Sequence, residues 1–159
     1  MQNITFRPYR LSDKPPLHAL KNDLEVRKNS RTSREYSVES FELKLAHWLG
    51  AKIFSVVELE GIFSGQVVLE DRGDGKTDLH FTVTPNYRSM GIGKKMVHQF
   101  IAERSIDVSD LVLVIKEGNI RSERIAQSLG LFRVMGSEHV TEVGQPPIVE
   151  WAMPTIGQA

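Results

Sequence analysis

The residues whose types and spacing are best suited to chemistry lie together, in Leu79-His80-Phe81-Thr82-Val83-Thr84-Pro85-Asn86-Tyr87-Arg88-Ser89-Met90-Gly91-Ile92-Gly93-Lys94-Lys95. A strand pattern ends at Pro85, a basic residue follows, and Gly91 and Gly93 open a helical pattern. Glycine is a poor helix former, costing about 1 kcal/mol relative to alanine. Two glycines at a helix start imply that something approaches the backbone closely. Helix N-termini carry unpaired N–H groups and partial positive charge, so the stretch reads as an anion site suited to a pyrophosphate. Arg88, Lys94 and Lys95 could add charge. Two other phosphate motifs do not fit. A Walker loop would need glycine at Arg88 and a hydroxyl residue at Lys95. A Rossmann fingerprint would need glycine at Met96 and would open the fold rather than follow several strands. Gly-x-Gly alone is equally a helix cap without a ligand; the full strand–Pro–Arg–Gly–Gly–helix setting favours the phosphate site.

The elements that must position this loop follow from periodicity. Residues 4–7 alternate as a strand and stop at Pro8. Ser12-Asp13 can cap a helix that tolerates Pro15 in its first turn and carries an apolar stripe of Leu17, Leu20, Leu24 and Val26. Ser37 caps a second helix through Phe41, Leu45 and Trp48, ending near Gly50. Residues 52–59 and 62–70 read as a hairpin around Glu60-Gly61, and residues 79–83 as the next strand. Ile92, Met96, Val97, Phe100 and Ile101 then share one helical face. The apolar run 111–115 has the composition of a strand covered on both faces. A helix over 120–129 stops at Gly130, and strands over 131–135 and 148–153 close the chain around Pro146-Pro147. The expected class is α/β (α+β): a mixed sheet of about seven strands with about four helices. Strand 79–83, the crossover helix and strand 111–115 form a parallel pair.

Composition narrows the function. The 159 residues fit one domain, expected over 1–154 with a frayed tail at 155–159. The chain is 40% hydrophobic and 25% charged, as soluble globular proteins are. Its net charge of +0 lacks the basic excess of a nucleic-acid binder. No apolar run reaches membrane-span length and the N-terminus lacks a signal-peptide pattern, so no membrane partner is expected and the cytoplasm is the expected location. Cysteine is absent, which removes thiol nucleophiles and thiolate metal sites, and the five histidines lack ligand spacing, so no metal is expected.

The stretch Val83-Thr84-Pro85-Asn86-Tyr87-Arg88-Ser89-Met90-Gly91-Ile92-Gly93 resembles the acyl-CoA signature R-x-x-G-x-G/A of GNAT acetyltransferases, which follows a V-x-P strand end. A second block, the apolar strand 111–115 with Asn119-Ile120-Arg121-Ser122 and Leu129-Gly130-Leu131, is similar to the family's N-x-x-S/A and L-G-F elements, with Leu131 in the usual Phe place. Gly65-Gln66-Val67-Val68-Leu69 is similar to the third strand. The resemblance spans nearly the whole chain in the family's order.

That resemblance implies an acetyl-CoA-dependent N-acetyltransferase in which the co-substrate lies in a wedge between two splayed parallel strands, here 79–83 and 111–115. Backbone at Phe81, Thr82 and Val83 would pair with the pantetheine arm, and an N–H at or near Val83 would polarise the thioester carbonyl. Backbone N–H groups from Arg88 through Ser89, Met90, Gly91 and Ile92 to Gly93 would hold the pyrophosphate. Lys94 would reach a phosphate, and Asn119 would contact the pantetheine or order its loop. The reaction is direct attack of a neutral amine on the thioester, so a base helps, because a lysine-like amine has a pKa of about 10. His80 has the intrinsic pKa best suited to that task; Asp78 and Glu70 are alternatives. Many family members protonate the departing thiolate with a tyrosine seven residues after the Asn, a position that is Ala126 here. Relatives of the ribosomal-protein N-terminal type use the Ser of N-x-x-S, which is Ser122; a hydroxyl in the first turn of a helix is the equal alternative.

The acceptor expected is a small-molecule or peptide amine. Residues 21–33 resemble a block, W-x-N-D-x-x-V-R-x-x-S-x-x-S, of a subgroup acting on nucleotide-linked amino sugars, with Leu20 in the Trp place and its later His-x-x-Trp element displaced to His47-Trp48. Arg27, Lys28, Arg31 and Arg34 could meet a nucleotide diphosphate, or form a solvated face with the interleaved acids. A protein N-terminus is the competing acceptor. The different class of reading is an acyl-CoA sensor or interaction module without turnover. Domains of this family often pair, so a homodimer is a further expectation.

Overall fold

Alternation in the central strands separates two faces. The computed structural model describes residues 3–154. In it, β3 (Ile62–Asp71) lies antiparallel to β4 (Thr77–Val83), with Val67 opposite Phe81 and Leu69 opposite Leu79. These side chains join an apolar core against α4 (Ile92–Glu103) and α5 (Ile120–Ser128), built on Met96, Val97, Phe100 and Ile125. The intervening residues point the other way: Gln66 opposite Thr82, Val68 opposite His80, Glu70 opposite Asp78. There Val68 packs under α1 (Lys14–Asn22) and α3 (Val38–Leu49), with Leu17, Leu20, Phe41, Leu45 and Trp48. On that face Val68 and, beside it on β2, Phe54 pack under the helices, while Gln66, Glu70, His80 and Thr82 are the polar residues left for a site.

The sheet is completed by β1 (Ile4–Pro8), β2 (Ile53–Leu59), β5 (Leu111–Lys116), β6 (Phe132–Arg133) and β7 (Ile148–Ala152), in the order β1-β2-β3-β4-β5-β7-β6. All neighbours are antiparallel except β4 and β5. This is the expected mixed seven-stranded sheet with its parallel pair.

Two details depart from expectation. Five α-helices form, because the first expected helix is two: Asp23 adopts an extended ψ of 135° and its carboxylate accepts the Val26 N–H at 3.1 Å, capping α2 (Leu24–Asn29). Val26 thus belongs to α2. The strand expected over 131–135 shortens to Phe132–Arg133. The tail at 155–159 lies outside the described residues. Among those described, no helix is long and apolar enough to cross a membrane.

One glycine sets the spacing of the site strands. A Cβ on Gly65 would sit 2.1 Å from the Thr82 carbonyl oxygen, so only glycine lets β3 approach β4 there. Beside it, Ser64 forms a bulge against β2, and its hydroxyl accepts the Leu59 N–H at 3.2 Å.

Candidate active site

Strands β4 and β5 pair only at Thr77 with Leu111 and Asp78 with Val112, then separate. From Leu79 onward, that edge of β4 has no strand beside it. The Thr84 N–H donates to Ser64 O on β3 at 2.8 Å. Backbone groups alternate along a strand, so the N–H groups of Val83 and Phe81 face into the wedge. The wedge has a cleft on each side. One, of about 820 Å³, is lined by Phe81, Val83, the 88–94 loop and the start of α5; the other, of about 720 Å³, by α1, α3, β3 and β4. Asn29, Ser30, Phe81, Thr82, Asn119 and Ser122 line both. The two clefts therefore meet at the splayed strands.

The first cleft is built mostly from backbone. Ser89 and Gly91 adopt left-handed φ of 65° and 75°, and Gly91 caps α4. The first helical bond, Lys95 N–H to Gly91 O at 3.2 Å, leaves the N–H groups of Ile92, Gly93 and Lys94 without helical partners. The Gly93 Cα packs inward, where an added Cβ would meet Ile125 Cδ1 at 3.4 Å. That is an ordinary van der Waals distance, so packing against α5 does not by itself require glycine here. Met90 is exposed and is not on the cleft wall.

Arg88 is placed differently from a phosphate ligand. Its N–H donates to Pro85 O at 3.2 Å, and its guanidinium binds Asp23 at 2.5 Å and Glu25 at 3.2 Å. Arg121 bridges Glu25 at 3.2 Å and the Ser89 hydroxyl at 2.9 Å. These residues strap α2 across the loop and the start of α5. The cations on this wall with no carboxylate partner among the described residues are Lys28, Lys94 and Arg124.

At the junction, the Asn119 side chain accepts the Ser122 N–H at 3.4 Å and caps α5. Capping thus falls to Asn119, and half-buried Ser122 lines both clefts with no hydrogen bond from its hydroxyl among those described. Ala126 is fully buried beneath.

The second cleft is built from side chains of distant segments. Burial holds the His80 imidazole below its usual pKa, although Glu70, 3.8 Å away, pulls it upward. The ring is therefore neutral at neutral pH and can accept a proton. His47 lies 3.4 Å from the same carboxylate. Asp78 is held by Arg72 at 2.8 Å and Arg31 at 3.9 Å, which ties it to structure rather than proton transfer. The basic run is divided: Arg27 binds Ser33 O at 3.0 Å, Lys28 faces the first cleft, and Arg31 and Arg34 face the second. Sequence reasoning missed Lys21, Lys44 and Gln66 here. Lys21 Nζ donates to the Thr82 hydroxyl at 3.2 Å and lies 4.8 Å from the Trp48 ring. Burial, with repulsion from Lys44, lowers its pKa to about 7. The available signal was Gln66, a polar residue inside the apolar run 65–69.

Residues 3–131 match the family model for the GNAT acetyltransferase domain, and the chain belongs to that family. No curated protein sequence gives a significant match. Among solved structures, spermidine N-acetyltransferase from Vibrio cholerae, in complex with CoA and spermine, superposes with a TM-score of 0.77 at 13% identity, covering 93% of each chain. Ribosomal-protein-alanine N-acetyltransferase from Brucella melitensis gives 0.71 at 23% identity, covering 92% of this chain and 96% of that one. The yncA protein of Salmonella typhimurium, with its cofactor acetyl-CoA, gives 0.68 at 19% identity, covering 94% and 91%. These similarities show a common fold.

Proposed function

We propose that this chain transfers an acetyl group from acetyl-CoA to a primary amine by direct attack on the thioester. The observation that carries this reading is the wedge, an unpaired strand edge where two clefts meet, with a glycine-opened helix start on one side only. The N–H groups of Ser89 to Lys94 take the pyrophosphate, with Lys28, Lys94 and Arg124 supplying charge. The free edge at Phe81 to Val83 pairs with the pantetheine amides, and Asn119 orders the loop beside them. The Val83 N–H stabilises the oxyanion as the amine adds.

The amine enters from the second cleft, where His80, neutral and beside Glu70, removes a proton directly or through water. Ser122, reached from both clefts, donates to the departing thiolate. Similar solved structures include proteins whose names specify spermidine and ribosomal-protein substrates, which supports a small-molecule or peptide amine as acceptor.

Calorimetric titration with acetyl-CoA and CoA, followed by a thiol-release screen over amines, tests the reading. Micromolar binding with thiol release is expected. Binding without release from any amine would leave a sensor, and no binding would reduce the glycine loop to a helix cap.

A further inference from the structure

Gln66 is only 1% exposed, yet neither its side-chain oxygen nor its nitrogen has a hydrogen-bond partner, and it lines the second cleft. Leaving a buried polar group unpaired is costly, and the cleft is the open space beside this amide, from which water in the free protein or ligand atoms in a complex would meet its two ends after a small shift. Gln66 lies opposite Thr82, and cross-strand neighbours have Cβ atoms about 4.5–5.5 Å apart. The Thr82 hydroxyl is the group that holds Lys21 Nζ. The Lys44 ammonium lies 5.5 Å from the Trp48 ring that Lys21 also approaches. Lys21, Arg34 and Lys44 all line this cleft with no carboxylate partner among the described residues. The wall carries two acids, Glu35 and Glu70, the latter 3.4 Å from His47 and 3.8 Å from His80. A polyamine would enter a cleft that already holds the unpaired cations Arg34 and Lys44, with Lys21 ready to become a third once an anion is beside it.

We propose that Gln66, Lys21 and Lys44 form an anion subsite in the acceptor cleft, which takes a carboxylate or phosphate carried by the amine that is acetylated. The Gln66 amide nitrogen and the two ammonium groups donate to the anionic oxygens. The Gln66 carbonyl oxygen accepts from a hydroxyl or N–H on the same ligand. The anion restores to Lys21 and Lys44 the countercharge that the protein withholds. The acceptor is thus bifunctional, an amine at the wedge and an anion toward α3. This rests on the acetyl-transfer reading above.

The test uses matched amines: 2-aminoethyl phosphate against ethanolamine, and alanylalanine against its amide, with spermidine as the polycation. The phosphate and carboxylate pairs distinguish the two sources of anion. In at least one pair, thiol release from the anionic member is expected to exceed that from its neutral mate by about tenfold or more in kcat/KM. Lys44→Glu and Gln66→Leu, checked for folding by thermal melting, should collapse that ratio toward one while CoA affinity is kept. Equal or faster turnover of the neutral amines or spermidine, or a ratio that survives both substitutions, overturns the subsite. If no amine releases thiol, calorimetry of 2-aminoethyl phosphate and alanylalanine against the CoA-loaded protein separates the two claims. Binding that Lys44→Glu weakens at least tenfold supports the subsite and overturns transfer; no binding overturns the subsite.

Discussion

The two clefts that meet at the wedge are built on opposite plans. The glycine side takes most of its donors from consecutive backbone N–H groups between Ser89 and Lys94, oriented by two left-handed residues and a helix start. The other side takes Lys21 from α1, Lys44 and His47 from α3, Gln66 and Glu70 from β3 and His80 from β4. A site made of contiguous backbone needs only a local sequence and tolerates change elsewhere. A site made of converging side chains depends on how the helices lie on the sheet, and can change its ligand through single substitutions.

Substitutions can break this contrast, the largest effect coming where both clefts share a wall. Gly65→Ala drives a Cβ into the Thr82 carbonyl, 2.1 Å away. It should cost about 3 kcal/mol of stability by overpacking and impair both clefts together. Thermal melting checks this, and an unchanged melting temperature would mean that β3 and β4 separate freely.

Gly91→Glu should act on one side only. Its Cβ enters open space, but the residue holds φ of 75°, which strains any side chain, and the new carboxylate repels phosphate. CoA affinity should fall about a hundredfold, some 2.7 kcal/mol, with the fold retained. Intact CoA affinity in the folded variant would remove the phosphate assignment.

Ser122→Ala should slow turnover by about a hundredfold, the lower end of the range for a single proton-transfer group, with little change in CoA affinity. An unchanged rate removes Ser122 from the mechanism.

Lys21 gives a pH signature. Its folded pKa, about 7, lies below that of an unfolded lysine. Between these values the unfolded chain binds a proton that the folded chain does not, so stability rises with pH through this window. Below pH 7 both states are protonated and the penalty is fully present. His80, also lowered, acts below the usual histidine range, outside this window. Melting temperatures of wild type and Lys21→Met from pH 6 to 9 should show the variant more stable at the acid end and flatter above neutrality. Parallel curves would place the Lys21 ammonium in solvent, away from Lys44, His80 and Glu70.

The smallest effect belongs to Gly93→Ala. Helix propensity favours alanine by about 1 kcal/mol, whereas its Cβ would touch Ile125 Cδ1 at 3.4 Å. That contact is of ordinary length, so the fold should be kept or slightly stabilised, and CoA affinity should change less than about threefold, equivalent to well under 1 kcal/mol.

By itself the sequence determined the mixed sheet, the crossover helix and the location of the glycine loop, because periodicity, caps and glycine conformations are properties of neighbouring residues. Its reading erred where a local signal was ambiguous. Asp23 looked like part of a helical run and instead ends one helix and caps the next, since its carboxylate can satisfy the Val26 N–H. Arg88 looked like a phosphate ligand because charge was visible and its partners were not; Asp23 and Glu25 reach it only after α2 has docked. Tertiary structure alone decided that Gln66 is buried without a partner, that Lys21 is set against Thr82 and Trp48, and that Asp78 is tied to Arg72. The physical reason is distance along the chain. A donor's direction in a helix start is set within a few residues, whereas the burial and charge environment of a side chain depend on segments brought together only by packing two helices across a sheet face.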